Sequence, residues 1–272
     1  MAKKRLKRSL LLLLLTTLVV ISVSYILPKS NITTNAVTKS PATNNITIAN
    51  WNLQIFGQSK ADNEELMNKY KEIIKKYDII FVQEIRDSSE TAFPKLCNLL
   101  EHYKCKTSSR AGRSSSKEQY GIIYKDNIEI SNFIDYNPDN KDRWERPPIK
   151  VTFTIKNYEL TAYNIHTKPE DVKNELNYLQ NIVEDKGNVV ILGDLNADCN
   201  YYNNILETQF DSWNWIINDS EDTTVSNTNC AYDRIIMNQD SYKEYLTYGI
   251  YKENINSDVS DHYLVYFSIA LS

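Results

Sequence analysis

Glycine is scarce, at 6 of 272 residues, and histidine is scarcer, at 3. So few glycines exclude a glycine-rich low-complexity or collagen-like chain. So few histidines mean that each is weighed singly as a candidate for chemistry. None of the four cysteines, Cys97, Cys105, Cys199 and Cys230, is spaced as in a zinc site. Internal repeats are absent, which excludes solenoids and propellers. Acidic residues are missing altogether before Asn45. Seven basic residues precede that point, leaving 24 basic against 35 acidic beyond it, a net of −11. Such a domain does not soak up nucleic acid by charge alone. If it acts on DNA, divalent cations and a local basic strip must offset the repulsion.

What is present begins with an export signature. Lys3, Lys4, Arg5, Lys7 and Arg8 precede an apolar run that reaches Leu27. This reads as a cleaved signal peptide or an uncleaved signal anchor over residues 1–28. Residues 29–45 shift to Ser, Thr, Asn and Pro and read as a polar linker. Residues 46–272 remain as one domain, long enough to bury a sizeable core. The expected location is outside the cell, secreted or anchored at the outer membrane face. An even cysteine number fits an oxidising compartment, and a Cys97–Cys105 bridge is one option.

Hydrophobic periodicity predicts an alternating α/β chain. Strands are expected at 46–52, 79–82, 120–125, 128–133, 149–155, 159–165, 189–192, 232–237 and 263–269. Helices are expected at 62–76, 88–103 and 169–186, the second kinked by Pro94 and the third opened by Pro169. Several strands follow one another directly. That points to mixed sheets with helices outside rather than a doubly wound sheet.

Polar residues cluster where the apolar strands end. Four strands finish in Asn50-Trp51-Asn52, Gln83-Glu84, Asn164-Ile165-His166 and Gly193-Asp194-Leu195-Asn196. A fifth is entered through Ser260-Asp261-His262. Strand ends share a rim on which a site is built on a rigid frame. Glu84, Asp194 and Asp261 are oxygen ligands suited to Mg²⁺, Mn²⁺ or Ca²⁺. One such carboxylate is ordinarily a solvated strand end; three, with two of the three histidines among them, point to a site. Two histidines can take a proton from water and return one to a leaving alkoxide near neutral pH. The remaining histidine, His102, reads as a surface residue.

At these residues the chain resembles the deoxyribonuclease I family of the endonuclease/exonuclease/phosphatase superfamily. The superfamily pattern lies in Trp51-Asn52-x-Gln54-x-Phe56-Gly57, Gln83-Glu84-Ile85-Arg86-Asp87, His166, Gly193-Asp194-Leu195-Asn196 and Ser260-Asp261-His262. The finer strings are Gly112-Arg113-Ser114-Ser115-Ser116-Lys117-Glu118, Asn196-Ala197-Asp198-Cys199 and Cys230-Ala231-Tyr232-Asp233-Arg234. The resemblance implies a four-layer α/β sandwich, two packed mixed sheets flanked by helices. It implies a DNA endonuclease, acting on duplex as a monomer with Mg²⁺ or Mn²⁺. His166 would be the general acid supported by Glu118, and His262 the general base oriented by Asp233. Glu84 and Asp261 would hold the metal, with Asp194 at the same site. Asn52 and Asn196 would contact the scissile phosphate, and Arg86, Arg113 and Arg146 the DNA. Asp222, Thr224 and Thr228 would form a structural Ca²⁺ loop, and Cys199–Cys230 the family's main disulfide.

Three departures stand out. Gln54 replaces an arginine near the phosphate, Ser116 replaces a groove-stacking tyrosine, and the second small disulfide loop is missing around residues 137–144. These predict weaker duplex affinity and steeper salt sensitivity than in the animal enzymes. Two rival readings remain: a phosphodiesterase of the same superfamily acting on sphingomyelin or phosphoinositides, and a non-catalytic surface-binding protein or toxin subunit. The first wants a hydrophobic hairpin that the sequence lacks, and the second has no use for both histidine–carboxylate sets.

Overall fold

Strand after strand of short apolar residues finds a partner in one of two sheets. The computed structural model describes residues 44–203 and 206–271. The export segment at 1–28 and nearly all of the linker lie outside the described residues. The elements run β1 (Asn45–Phe56), α1 (Gln58–Ala61), α2 (Glu64–Ile74), β2 (Ile79–Ile85), α3 (Ala92–Cys97), β3 (Tyr103–Thr107), β4 (Gln119–Lys125) and β5 (Glu129–Asp135). They continue with β6 (Ile149–Ile155), β7 (Tyr158–Asn164), α4 (Val172–Gln180), β8 (Asn188–Asp194), β9 (Asn214–Trp215), β10 (Asp233–Met237), α5 (Gln239–Lys243), β11 (Tyr245–Tyr251) and β12 (Leu264–Ala270).

The first sheet has the order β11-β12-β1-β2-β4-β3 and the second β5-β6-β7-β8-β10-β9. Each is mixed, with β1–β2 and β7–β8 parallel and the rest antiparallel. Ile48, Phe81, Ile122 and Phe267 of the first sheet pack against Val151, Phe153, Leu192 and Ile235 of the second. The outer face of the first sheet is covered by α2 and α3, through Tyr70, Ile74, Phe93 and Leu96. That of the second is covered by α4, through Leu176 and Leu179. The result is the four-layer sandwich.

Local signals explain the helix bounds. Asn63 caps α2 by accepting from the Leu66 amide, and Leu66, Tyr70, Ile73 and Ile74 form its buried stripe. The long helix expected over 88–103 is instead the short α3 followed by β3. Tyr103–Thr107 pairs with β4, and the Cys97–Cys105 disulfide ties the two pieces together. Sheet pairing overrides the local pattern there. The helix expected over 169–186 is a 3₁₀ turn at Pro169–Asp171 and then α4, which stops at Gln180. No described helix is long and apolar enough to cross a membrane.

Topology sends the polar strand ends to one edge. Asn50, Gln83 and Asn164, all fully buried, form an amide seam between the sheets. Asn164 Nδ2 donates to Asn50 Oδ1 at 2.8 Å, and Gln83 Nε2 to the Ile165 carbonyl at 2.8 Å. Gln83 Oε1 accepts from the Asp194 amide at 2.9 Å. Gly193 makes this approach possible. Its φ is +154°, and a Cβ there would lie 2.0 Å from the Ile165 carbonyl oxygen.

Candidate active site

Asp194 closes β8 and sits between the two histidines. Its Oδ2 lies 3.4 Å from His166 Nε2 and 3.5 Å from His262 Nε2. Behind each ring stands a second buried carboxylate. His166 Nδ1 is 2.7 Å from Glu118 Oε1, and His262 Nδ1 is 2.7 Å from Asp233 Oδ2. Each imidazole is therefore fixed at one nitrogen and presents the other to a shared carboxylate. The sheets dictate this. Asp233 pairs with Asp194 across β10 and β8, and Glu118 precedes the strand that pairs with β2 beside Glu84. His262 is pinned by Ser260, whose Oγ accepts its amide at 3.1 Å and donates to the Asn52 carbonyl at 2.6 Å.

Asn52 and Asn196 stand in the same cluster. Asn52 Nδ2 is 3.1 Å from Asp194 Oδ2 and 3.2 Å from Glu84 Oε1. Asn196 donates its amide to Asp194 Oδ1 at 3.2 Å and its side chain to the Thr167 carbonyl at 3.0 Å. Glu84, Glu118 and His166 bring ligand atoms within 4.8 Å of one another, a possible metal site. Asp261 is not a member of that trio. Its side chain is half exposed, and its Oδ1 is buried without a hydrogen bond, 3.9 Å from His262 Nε2.

The arginines divide. Arg86 reaches Glu84 at 3.1 Å and Glu118 at 3.5 Å. Arg146 lies against Glu118 at 3.3 Å and donates to the carbonyls of His166 and Thr167, so most of its fork is spent on the chain itself. Arg113 is not brought to the cluster by any contact. Asp142 and Glu145 take up its guanidinium, at 2.8 and 3.4 Å. At the proposed calcium loop, the Thr224 hydroxyl lies 3.2 Å from Asp222 Oδ1 and 3.0 Å from the Thr228 carbonyl oxygen. Cys199 and Cys230 are bridged close by.

Electrostatics sharpen the picture. Burial alone would pull the His262 imidazole down, but Asp233, Asp194 and Asp261 outweigh it and raise it to about 10. Burial pushes the Asp194 carboxyl up, yet the imidazoles of His262 and His166 and the Asn52 amide hold it below its ordinary value. Glu118 is likewise held low against burial, by His166, Arg146 and Arg86.

Sequence reading singled out neither Lys60 nor Tyr120. Lys60 Nζ donates to the carbonyls of Leu53 and Val259 at 2.8 and 3.0 Å, tying the end of β1 to the turn before Asp261. Tyr120 Oη accepts the His166 amide at 3.0 Å. Lys60 sits in a four-residue polar helix and gives no sequence signal. Tyr120 lies two residues beyond Glu118, a parity that puts both on one face of the strand.

With this geometry in place, the comparisons are specific. The Endonuclease/Exonuclease/phosphatase family matches residues 49–262. Deoxyribonuclease-1 of Bos taurus is 33% identical over 217 residues, covering 70% of this chain and 76% of that protein. The chain belongs to the deoxyribonuclease I family. Deoxyribonuclease gamma of Homo sapiens is 31% identical over 264 residues, covering 83% of this chain and 86% of that protein. Among solved structures, an endonuclease/exonuclease/phosphatase family protein from Bacteroides thetaiotaomicron superposes with a TM-score of 0.61 at 16% identity, over 84% of this chain and 95% of the other. That likeness speaks for the sandwich alone.

Proposed function

We propose that the protein is a divalent-metal-dependent endonuclease that hydrolyses phosphodiester bonds of DNA, duplex in particular, with His166 and His262 as its acid–base pair. The observation that carries this is the placing of both imidazoles on one Asp194 oxygen, at 3.4 and 3.5 Å, each backed by its own carboxylate. The deoxyribonuclease relatives support DNA as the substrate class.

In this reading water attacks phosphorus and loses its proton to the neutral imidazole of His262, which Asp233 orients and which a divalent cation held at Asp261 would favour by opposing the carboxylates that raise it. His166, held by Glu118, gives a proton to the departing alkoxide as the P–O bond breaks. Asn52 and Asn196 donate to the phosphate without adding negative charge. Asp194 stabilises whichever imidazole is cationic. The donor set fits a hard cation. Glu84 and Asp261 offer carboxylate oxygens, and the Asp261 Oδ1 atom lacks a hydrogen-bond partner. Bound Mg²⁺ or Mn²⁺ would supply neutralisation of charge on the phosphoryl oxygens. Asp222, Thr224 and Thr228 would hold a structural Ca²⁺.

Residues 46–272 form the catalytic unit of this proposal, acting as a monomer outside the cell. The two disulfides suit an oxidising compartment. Whether the N-terminal segment is removed or anchors the protein is read directly by N-terminal sequencing of the exported form.

Plasmid nicking tests the function. Nicking is expected with Mg²⁺ and Ca²⁺ and is lost with chelator. His166→Ala and His262→Ala each abolish it while circular dichroism stays native. Nicking that persists in chelator, or full activity in either variant, removes the mechanism.

A further inference from the structure

The end of β1 holds a feature that the acid–base chemistry does not use. Gln54 and Ile55 both lie in the left-handed region, at φ +47° and +52°. Glycine and asparagine enter this region readily, and a β-branched side chain does so at a steric cost. The turn is held from beneath. Gln54 donates its amide to Asn52 Oδ1 at 2.9 Å, and Ile55 donates its amide to Glu84 Oε2 at 2.9 Å. Glu84 is itself left-handed, at φ +58°.

Burial gives Ile55 nothing in return. Its side chain is 56% exposed, more than any other large hydrophobic residue among those described except Leu206. A single exposed isoleucine is unremarked on most surfaces. A strained one, one hydrogen bond away from a carboxylate of the candidate metal site, is a different case.

We propose that Ile55 is a specificity-determining residue, making an apolar contact with the deoxyribose and base edge of the nucleotide beside the scissile phosphate. The inference rests on the DNA-hydrolase reading. Charged and amide groups of the cluster are the partners for phosphate oxygens. An aliphatic side chain at the rim meets C–H surface, and in a nucleic acid the sugar and base edges beside the phosphate supply it. The neighbouring loop offers no such contact, because Ser116 is a small hydroxyl two residues before Glu118. Glu84, which accepts the Ile55 amide, and Glu118, two residues after Ser116, bring ligand atoms into one cluster.

Two variants separate contact from backbone strain. Ile55→Asn fits the left-handed backbone but removes the apolar surface, and Ile55→Leu keeps the surface. The readouts are thermal stability and the ratio of kcat/KM on duplex DNA to kcat/KM on a small aryl phosphodiester that has no flanking nucleotide. For Ile55→Asn the ratio falls about fivefold, the scale of losing one partly buried aliphatic contact, with melting temperature equal or higher. Ile55→Leu holds the ratio within about twofold. An unchanged ratio in Ile55→Asn, with the wild type active on duplex, overturns the inference alone. A wild type that cleaves neither substrate overturns the hydrolase reading and this inference together.

Discussion

Asp194 faces two imidazoles with one carboxylate, so what happens at His262 depends on its neighbours more than on itself. Held up to about 10, the imidazole is cationic at neutral pH when no divalent cation is bound. The unfolded value is about 6.5, so the folded state binds the proton more tightly. The resulting stabilisation is complete below pH ~6.5 and is lost as pH rises through the folded value. Urea unfolding of chelator-treated protein should show stability falling from pH ~6.5 toward 10, with that slope reduced in His262→Gln. A wild-type profile equal to the variant's would show that the surrounding carboxylates do not hold the proton. Asp194→Asn removes one of the charges responsible. An NMR titration of metal-free protein should find the imidazole of His262 titrating lower in that variant, with nicking lost; an unmoved titration would assign the shift to Asp233 and Asp261. Among single residues, those named by a strand-end motif were the readable ones. His166 and His262 announce themselves by rarity, and all of His166, Asp194 and His262 by their place at one end of an apolar strand. Lys60 acts through two backbone carbonyls, and no pattern in the sequence marks which lysine folds inward.

Strand ends converge here because a buried amide seam fixes the register of one sheet against the other. Gln83 bonds three different parts of it: the Asn50 side chain, the Ile165 carbonyl and the Asp194 amide. Gln83→Met would strand those groups in a dry interior, at a cost of about 2–3 kcal/mol by the usual penalty for unpaired buried polar groups. Chemical denaturation measures it, and a loss below ~0.5 kcal/mol would mean that the seam is not what aligns the sheets. Asp87 does comparable work for α3. Burial pushes its carboxyl up, but the amides of Ala92, Thr91 and Ser89 and the Ser89 hydroxyl hold it well below the usual carboxylate range. It caps a helix that lacks a capping bond from Thr91. Elements whose identity rests on their own periodicity, such as α2 and β6, were legible, β6 to the residue. Elements made by pairing were not. β3 and β9 have no apolar run of their own and exist because a neighbouring strand offers hydrogen bonds, while the apolar residues of β11 are interrupted by Thr247 and Gly249. The proposed calcium loop is wired to the chemistry in the same way. Val225 and Tyr263 exchange backbone bonds with Asp261 and Thr223, so loop order and His262 placement are one structural fact.

Across the whole molecule, the problem is how a domain of net −11 meets a polyanion. The expected basic strip is thinner than its arginine count implies. Arg146 is spent on its own backbone, Arg113 is tied to Asp142 and Glu145, and Gln54 offers no charge at the phosphate. Duplex should therefore bind this chain more weakly than it binds the bovine relative. The salt consequence reverses. The slope of log affinity against log salt counts the phosphates neutralised, at about 0.9 each. Fewer free arginines therefore give a shallower slope, where loss of an arginine and an aromatic contact had suggested a steeper one. Side-by-side titrations with inactive His262→Ala protein and the matching variant of bovine deoxyribonuclease-1 should give slopes differing by about one to two, this chain having the smaller. Asp142→Asn supplies the internal control, since it loosens the hold on Arg113. It should raise affinity at low salt by about twofold, the scale of one exposed ion pair, and the gain should vanish near 1 M salt or in an Arg113→Ala background. Equal slopes in the two proteins, or a gain that survives without Arg113, would place the DNA on a different face of the sandwich from the one that carries the histidines.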